Sequence, residues 1–215
     1  MLRQLRWKTA QFFEIRWWKR YLGNKDKTAY LNWKKAYWRD FLEKSGIEPQ
    51  PGMRVLDAGC GPAGIFTIFP DQITDAVDPL LDQYERELPH FTPSDWPAVR
   101  FHRQPLETYH SDAPYPLVFC LNAINHVEDL PLCLSRLSEL TGQGGTLALS
   151  IDAHNYGWLK RIFRLQPADI LHPHQYDLEE YAQMLTANGF VIQRTVLIKK
   201  EWIFNYYLLV AEKNQ

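Results

Sequence analysis

The sequence predicts an α/β fold: a mostly parallel, seven-stranded sheet closed by a C-terminal antiparallel hairpin and preceded by an N-terminal helical cap. Three observations carry this. From about residue 52, short apolar runs alternate with amphipathic stretches, the pattern of strands joined by crossover helices. Near the end, VIQRTVLIKK and WIFNYYLLVAEK are separated by one short turn, and two long strands that close together favour an antiparallel pair. The first fifty residues are chemically distinct. They hold 12 Lys/Arg against 5 Asp/Glu, a charge of +7 that leaves −8 for the rest, and five of the eight tryptophans.

Residues 1–45 read as two helices. At 100° per residue the first places Ala10, Phe13, Trp17 and Tyr21 on one side, with Trp7, Trp18 and Leu22 on another. Only a narrow arc with Lys8, Glu14, Arg16 and Lys19 is polar. A helix apolar around most of its girth needs two apolar neighbours. Gly23-Asn24 is the expected stop. A second helix over 27–44 clusters Tyr30, Tyr37, Trp38, Phe41 and Leu42 opposite Arg39 and Glu43. Pro49 and Pro51 then open a new unit, so the cap or lid is assigned to 1–48 and the α/β domain to 49–215.

MRVLDAG reads as a buried strand. Residues 62–69 suggest the start of a helix. ITDAVD (73–78) is strand two, LLDQYEREL (80–88) a helix and AVRFHR (98–103) strand three. PLVFCLN (116–122) is strand four, followed by the helix EDLPLCLSRLSELT, which gathers Leu130, Cys133, Leu134 and Leu137 on one face. GGTLALSID (144–152) is strand five. LEEYAQMLTANGF is a helix closing at Gly189, before the hairpin.

Length and composition bound the function. A chain of 215 residues, 46% hydrophobic and 23% charged, buries a core without metal or disulfide staples. No apolar run approaches the roughly 18 residues that span a bilayer. The basic start has no apolar h-region, so no secretory signal is read. Cys60, Cys120 and Cys133 form no CxxC pair, which argues against a zinc knuckle or disulfide framework and favours the cytoplasm.

The chemistry concentrates at Val-Leu-Asp-Ala-Gly-Cys-Gly-Pro-Ala-Gly, residues 55–64. Gly59, Gly61 and Gly64 satisfy GxGxxG, with Asp78 downstream, and alone this is a dinucleotide-binding fingerprint. Asp57 argues otherwise. A pyrophosphate would lie against this turn, and a poorly solvated carboxylate there would repel it by several kcal/mol, as a rough bound. A cationic ligand would welcome it. S-adenosylmethionine (SAM) carries an ammonium and a sulfonium and no phosphate.

These residues resemble the class I SAM-dependent methyltransferases. VLDAGCGPAG is similar to their first motif and AVDP (76–79) to their second. QPLE (104–107) sits where their third follows strand three, with Gln104-Pro105 in place of the family's frequent glycine and acid. LVFCLNAINHVED (117–129) is similar to their fourth. The resemblance covers roughly residues 50–215 and implies a Rossmann-like sheet. It implies that Gly59 and Gly61 admit the methionine part of SAM. Asp57 would hold its amino group or orient the turn, and Asp78 would accept both ribose hydroxyls. Pro79 and Leu80 would pack on the adenine, and Leu106 and Glu107 would lie at its edge. Leu121 and Asn122 would line the pocket near the methyl.

After strand four the family's amine-acceptor enzymes often carry [Asn/Asp/Ser]-Pro-Pro-[Tyr/Phe]; here the chain reads Asn122-Ala123-Ile124-Asn125. No Pro-Cys follows strand four either. An oxygen or carbon acceptor is therefore favoured, and it needs a base. His126, or His174 in the insert after strand five, fits by titration range. Asp152, His154, His172 and His174 are metal-ligating types, but their spacing fixes no geometry, so no metal is assigned.

The cap has three readings: a wall over an apolar acceptor, with Trp17, Trp18, Tyr21 and Tyr30 touching it; a peripheral patch on anionic lipid through residues 1–22; or, least favoured, an RNA-facing surface with stacking aromatics. The function expected is methyl transfer to oxygen or carbon of a small or lipid-like acceptor. The rivals are a SAM-binding protein without catalysis, an RNA or protein methyltransferase, and an NAD(P)-type oxidoreductase.

Overall fold

The computed structural model describes residues 2–154, 176–202 and 204–214; side chains are described from residue 9 onward, with Trp7, and not at 154 or 204. Two helices come first, α1 (Leu2–Leu22) and α2 (Lys27–Ser45). Asp26 caps α2 by accepting the Ala29 N–H at 2.8 Å, and Gly46, at φ +66°, ends it in a left-handed turn. The strands are β1 (Arg54–Ala58), β2 (Ile73–Val77), β3 (Val99–His102), β4 (Tyr115–Cys120), β5 (Thr141–His154), β6 (Phe190–Lys199) and β7 (Phe204–Lys213). Helices α3 (Leu81–Glu87), α4 (Leu130–Leu140) and α5 (Leu178–Ala187) complete the described chain.

The sheet order is β3-β2-β1-β4-β5-β7-β6. Strands β1 to β5 run parallel; β7 inserts antiparallel between β5 and β6. The order reverses between β1 and β4, and in open α/β sheets such a switch opens a crevice at the strands' carboxyl ends. Gly59 to Gly61 leave β1 there, and Leu121 and Asn122 leave β4.

Side chains alternate across the sheet. Leu56, Val118 and Leu149 pack under α4 and α5 on one face. On the other, Val55, Phe119 and Leu208 meet Trp38 and Phe41 of α2. Beyond them Ala76 joins Ile15 and Leu22 of α1, with Leu81 and Tyr84 of α3. Cap and sheet therefore share hydrophobic clusters across residue 48.

Two expectations are corrected. Residues 62–69 form no α-helix but two short 3-10 turns, Gly61–Ala63 and Ile65–Ile68. Pro62 and an extended Gly64 (φ −69°, ψ −176°) interrupt helical geometry. Ile65 and Phe69 from this segment pack with Trp38 and Phe41, so α2 covers the face that a crossover helix would take. Strand β5 also begins earlier, at Thr141 rather than residue 144, because Thr141 pairs with Tyr115 across an irregularity. The insert carrying His172 and His174 lies outside the described residues.

Candidate active site

The cleft sits at the switch point. Its floor is the turn after β1, its far end the tip of β2, and its roof the cap. The turn is built from backbone. Gly59 has φ +73°, and a Cβ there would overlap the Ala123 methyl. The N–H groups of Gly59 and Cys60 both donate to the Val77 carbonyl, at 2.7 and 3.1 Å, tying the turn to β2.

Asp78 follows β2 directly and is buried. One carboxylate oxygen accepts the Gly61 N–H at 3.0 Å, the other the Leu80 N–H at 2.8 Å. Each oxygen keeps acceptor capacity for a ligand hydroxyl. Burial pushes its pKa up to about 7, with the nearby Glu14 carboxylate raising it further and the two N–H groups opposing.

Asp57 points from β1 under the second 3-10 turn, where it accepts the Phe66 N–H at 3.1 Å. A Cβ on Gly64 would collide with that carboxylate. Asp57 thus orients the turn. Burial raises its pKa to about 7, against the pull of backbone N–H groups and the Lys34 charge.

Pro79, Leu80, Leu106, Glu107, Leu121 and Asn122 all line the cleft. Asn122 takes φ +54° and donates its N–H to the Ser150 hydroxyl at 2.8 Å. One Glu107 oxygen is engaged by the Glu128 and Asp129 N–H groups, at 2.9 and 3.3 Å, so this side chain also fixes the entry to α4. His126, at the end of the 3-10 turn Ile124–His126, faces the cleft; His174 and the outer residues of the four-residue metal reading lie outside the described chain. Among the described residues no group of three or more His, Cys, Asp and Glu could hold a metal ion.

The cap contributes differently from expectation. Of Trp17, Trp18, Tyr21 and Tyr30, only Trp18 lines the cleft. Trp17 is exposed and stacks on Tyr21, with ring centroids 4.8 Å apart. Tyr30 is buried with its ring edge-on to His90, and burial raises its pKa far above the usual range. The wall comes instead from Trp7, Gln11 and Glu14 of α1 and Lys34 and Trp38 of α2. Glu14, on the polar arc by periodicity, turns inward and accepts the Tyr84 hydroxyl at 3.0 Å.

Lys34 is the residue sequence reasoning missed. Its ammonium lies 4.4 Å from the Trp38 ring centroid and 5.1 Å from that of Tyr37. No ion pair or hydrogen bond to it is found among the described residues, and burial lowers its pKa to about 8 while Asp57 opposes the shift. The available signal was its spacing: it sits among Trp33, Tyr37 and Trp38, on the ring-bearing face rather than the polar one.

The geometry disfavours a dinucleotide. The turn is followed by 3-10 turns too short to focus a helix dipole, and the Asp78 and Glu14 carboxylates line the cleft, where a pyrophosphate would meet like charge. The comparisons agree. The methyltransferase-domain family matches residues 30–195, from within α2 to β6. Among curated proteins none matches the chain in sequence. Among solved structures, magnesium protoporphyrin IX methyltransferase from Synechocystis PCC 6803, with bound S-adenosylhomocysteine (SAH), is similar at TM-score 0.59 and 20% identity, covering 95% of this chain and 94% of that one. The Burkholderia thailandensis 1,6-didemethyltoxoflavin-N1-methyltransferase gives 0.62 and 16%, covering 100% and 88%. The geranyl diphosphate C-methyltransferase of Streptomyces coelicolor A3(2) gives 0.62 and 18%, covering 83% and 79%. At these identities the likeness is one of fold; with the family match over most of the sequence and the glycine turn capped by Asp78, it places the chain in the class I SAM-dependent methyltransferases.

Proposed function

We propose that the cleft binds SAM and that the chain transfers its methyl group to oxygen or carbon of a small or lipid-like acceptor. The observation that carries this is the pairing of Asp78, fixed at both oxygens by backbone N–H groups, with Lys34 across the same cleft, whose ammonium makes no ion pair or hydrogen bond among the described residues. SAM supplies a methyl on an electrophilic sulfonium. Asp78 accepts from the ribose hydroxyls, and Pro79, Leu80 and Leu106 flank the adenine. Gly59 and Gly61 let the backbone approach the amino-acid part, whose carboxylate meets Lys34. Leu121 and Asn122 line the methyl end.

His126 is assigned as the base, taking the acceptor's proton on its imidazole as the carbon–sulfur bond breaks. The remaining work is orientation and exclusion of water, for which Trp7, Trp18 and Trp38 form an apolar roof. The acceptor reading draws support from two neighbours of this fold, a magnesium protoporphyrin IX methyltransferase and a geranyl diphosphate C-methyltransferase. The reading is tested by calorimetric titration with SAH. Wild type should bind at micromolar concentration and Asp78→Ala at least tenfold more weakly; absence of wild-type binding overturns it. His126→Gln should bind SAH normally and lose turnover.

A further inference from the structure

Helix α1 has two faces of opposite character. The inner one carries Trp7, Glu14, Ile15 and Trp18 into the cleft and core. The outer one spans an arc of about 140° at 100° per residue, with Phe12 (56% exposed), Phe13 (44%), Arg16, Trp17 (51%) and Arg20. The segment Leu2–Leu22 holds six basic residues and one acid, Glu14, and that acid turns inward. Lys19 is paired with Glu87 at 2.9 Å. Arg16 lies 5.5 Å over the Phe12 ring. No helix among the described residues is long and apolar enough to cross a membrane.

We propose that this outer face docks on the surface of an anionic lipid bilayer. Rings inserted at the headgroup boundary with guanidinium groups beside them are what such a surface selects. Charge decides against a second copy of the chain, because an isologous contact would press two strongly basic helices together. Residues 51–215 carry net negative charge, so charge is polarised toward the N-terminal helices, of which this face is part. Docking stands apart from the catalytic reading. Where that reading also holds, the roof of the cleft rests on the membrane, within about one helix diameter, roughly 10 Å, and a lipid-dissolved acceptor reaches it without crossing water.

The test is flotation of the full chain with vesicles of phosphatidylcholine alone, or with about one-third phosphatidylglycerol. Binding is expected to the anionic vesicles only, with a blue shift of tryptophan emission and release in half-molar salt. Phe13→Glu should lose at least tenfold. The double variant Arg16→Glu, Arg20→Glu should lose more, since each basic residue near an anionic surface contributes about fivefold. Both variants should keep wild-type SAH binding, which shows that they fold and separates this failure from failure of the methyltransferase reading. Equal binding to neutral vesicles, no vesicle binding, or wild-type behaviour of both variants overturns the proposal. So does a dimer that Phe13→Glu dissociates, or tighter binding to a single-stranded RNA than to anionic vesicles.

Discussion

The cleft has two walls of different make. The floor, from Gly59 to Asp78, is backbone geometry. Its N–H groups are spent within the protein, those of Gly59 and Cys60 on the Val77 carbonyl and that of Gly61 on Asp78, so its ligand-facing polar group is the Asp78 carboxylate, itself held by the Gly61 and Leu80 N–H groups. The roof is side chains: Glu14, Trp18, Lys34 and Trp38 reach the cleft from two helices whose sequence lies far from it. A backbone wall leaves little tolerance for substitution, whereas a side-chain wall can be tuned residue by residue. The floor should therefore fail abruptly and the roof by degrees.

The largest effect is expected at Gly59. Its φ of +73° and the approach of Ala123 leave no room for a side chain, so Gly59→Val should reduce SAH affinity about a hundredfold or more, read by calorimetry. Gly61 sharpens the point. Its φ of +57° is also left-handed, but a Cβ would meet only Trp18 at 4.0 Å. Gly61→Ala should then cost only the backbone strain, about 1–2 kcal/mol or roughly tenfold. If both glycines prove equally tolerant, the floor is not the rigid wall.

This contrast also explains what the sequence made legible. The alternation of strands and helices, the glycine turn and the place of Asp78 were readable because each follows from a local pattern: an apolar run ending in glycine, then an acid at the next strand's end. The 3-10 turns after β1 were not readable, because their competitor for the space is α2, which arrives from an earlier part of the chain. Lys34 and Glu14 were hidden for a related reason. Helical periodicity places a residue on an arc but does not say which arc faces the cleft. Trp17 and Trp18 are neighbours on α1, yet one is exposed and the other lines the site.

Removing the roof's charge is the next step down. Lys34→Met should weaken SAH binding about tenfold, the range of one charge-assisted hydrogen bond. Lys34→Arg should recover part of it. 5′-Methylthioadenosine, which lacks the amino-acid part, should bind wild type and Lys34→Met alike. A tenfold loss for that ligand too would mean that Lys34 supports the roof rather than a carboxylate.

The two walls also titrate in opposite directions. Asp78 must be ionised to accept from ribose, and its pKa stands near 7; Lys34 must be charged, and its pKa stands near 8. SAH affinity should rise about fivefold from pH 6 to 7.5 and fall again above pH 8. Without ligand the sign reverses for stability. Asp57 and Asp78 are raised from 3.8 to about 7 on folding, so their contribution is full below pH 4 and is lost as pH rises through 7. The melting temperature of the free protein should therefore decline between pH 5 and 8, and Asp78→Asn should flatten the slope. A free-protein melting temperature that climbs steadily over that range would contradict the burial of these carboxylates.

The smallest effect is expected where roof meets floor. The Trp38 indole N–H donates to the Ala63 carbonyl at 3.0 Å, joining α2 to the segment just past the glycine turn. Trp38→Phe keeps a ring against Phe41, whose centroid lies 5.7 Å away, but leaves a buried carbonyl short of a donor. One neutral hydrogen bond of this kind is worth about 1 kcal/mol. The variant should lose that much stability in urea unfolding and change SAH affinity less than threefold, because the floor is held independently by its bonds to Val77 and Asp78. A loss of affinity as large as that of Gly59→Val would mean that the roof sets the geometry of the floor, and the two walls would then be one unit.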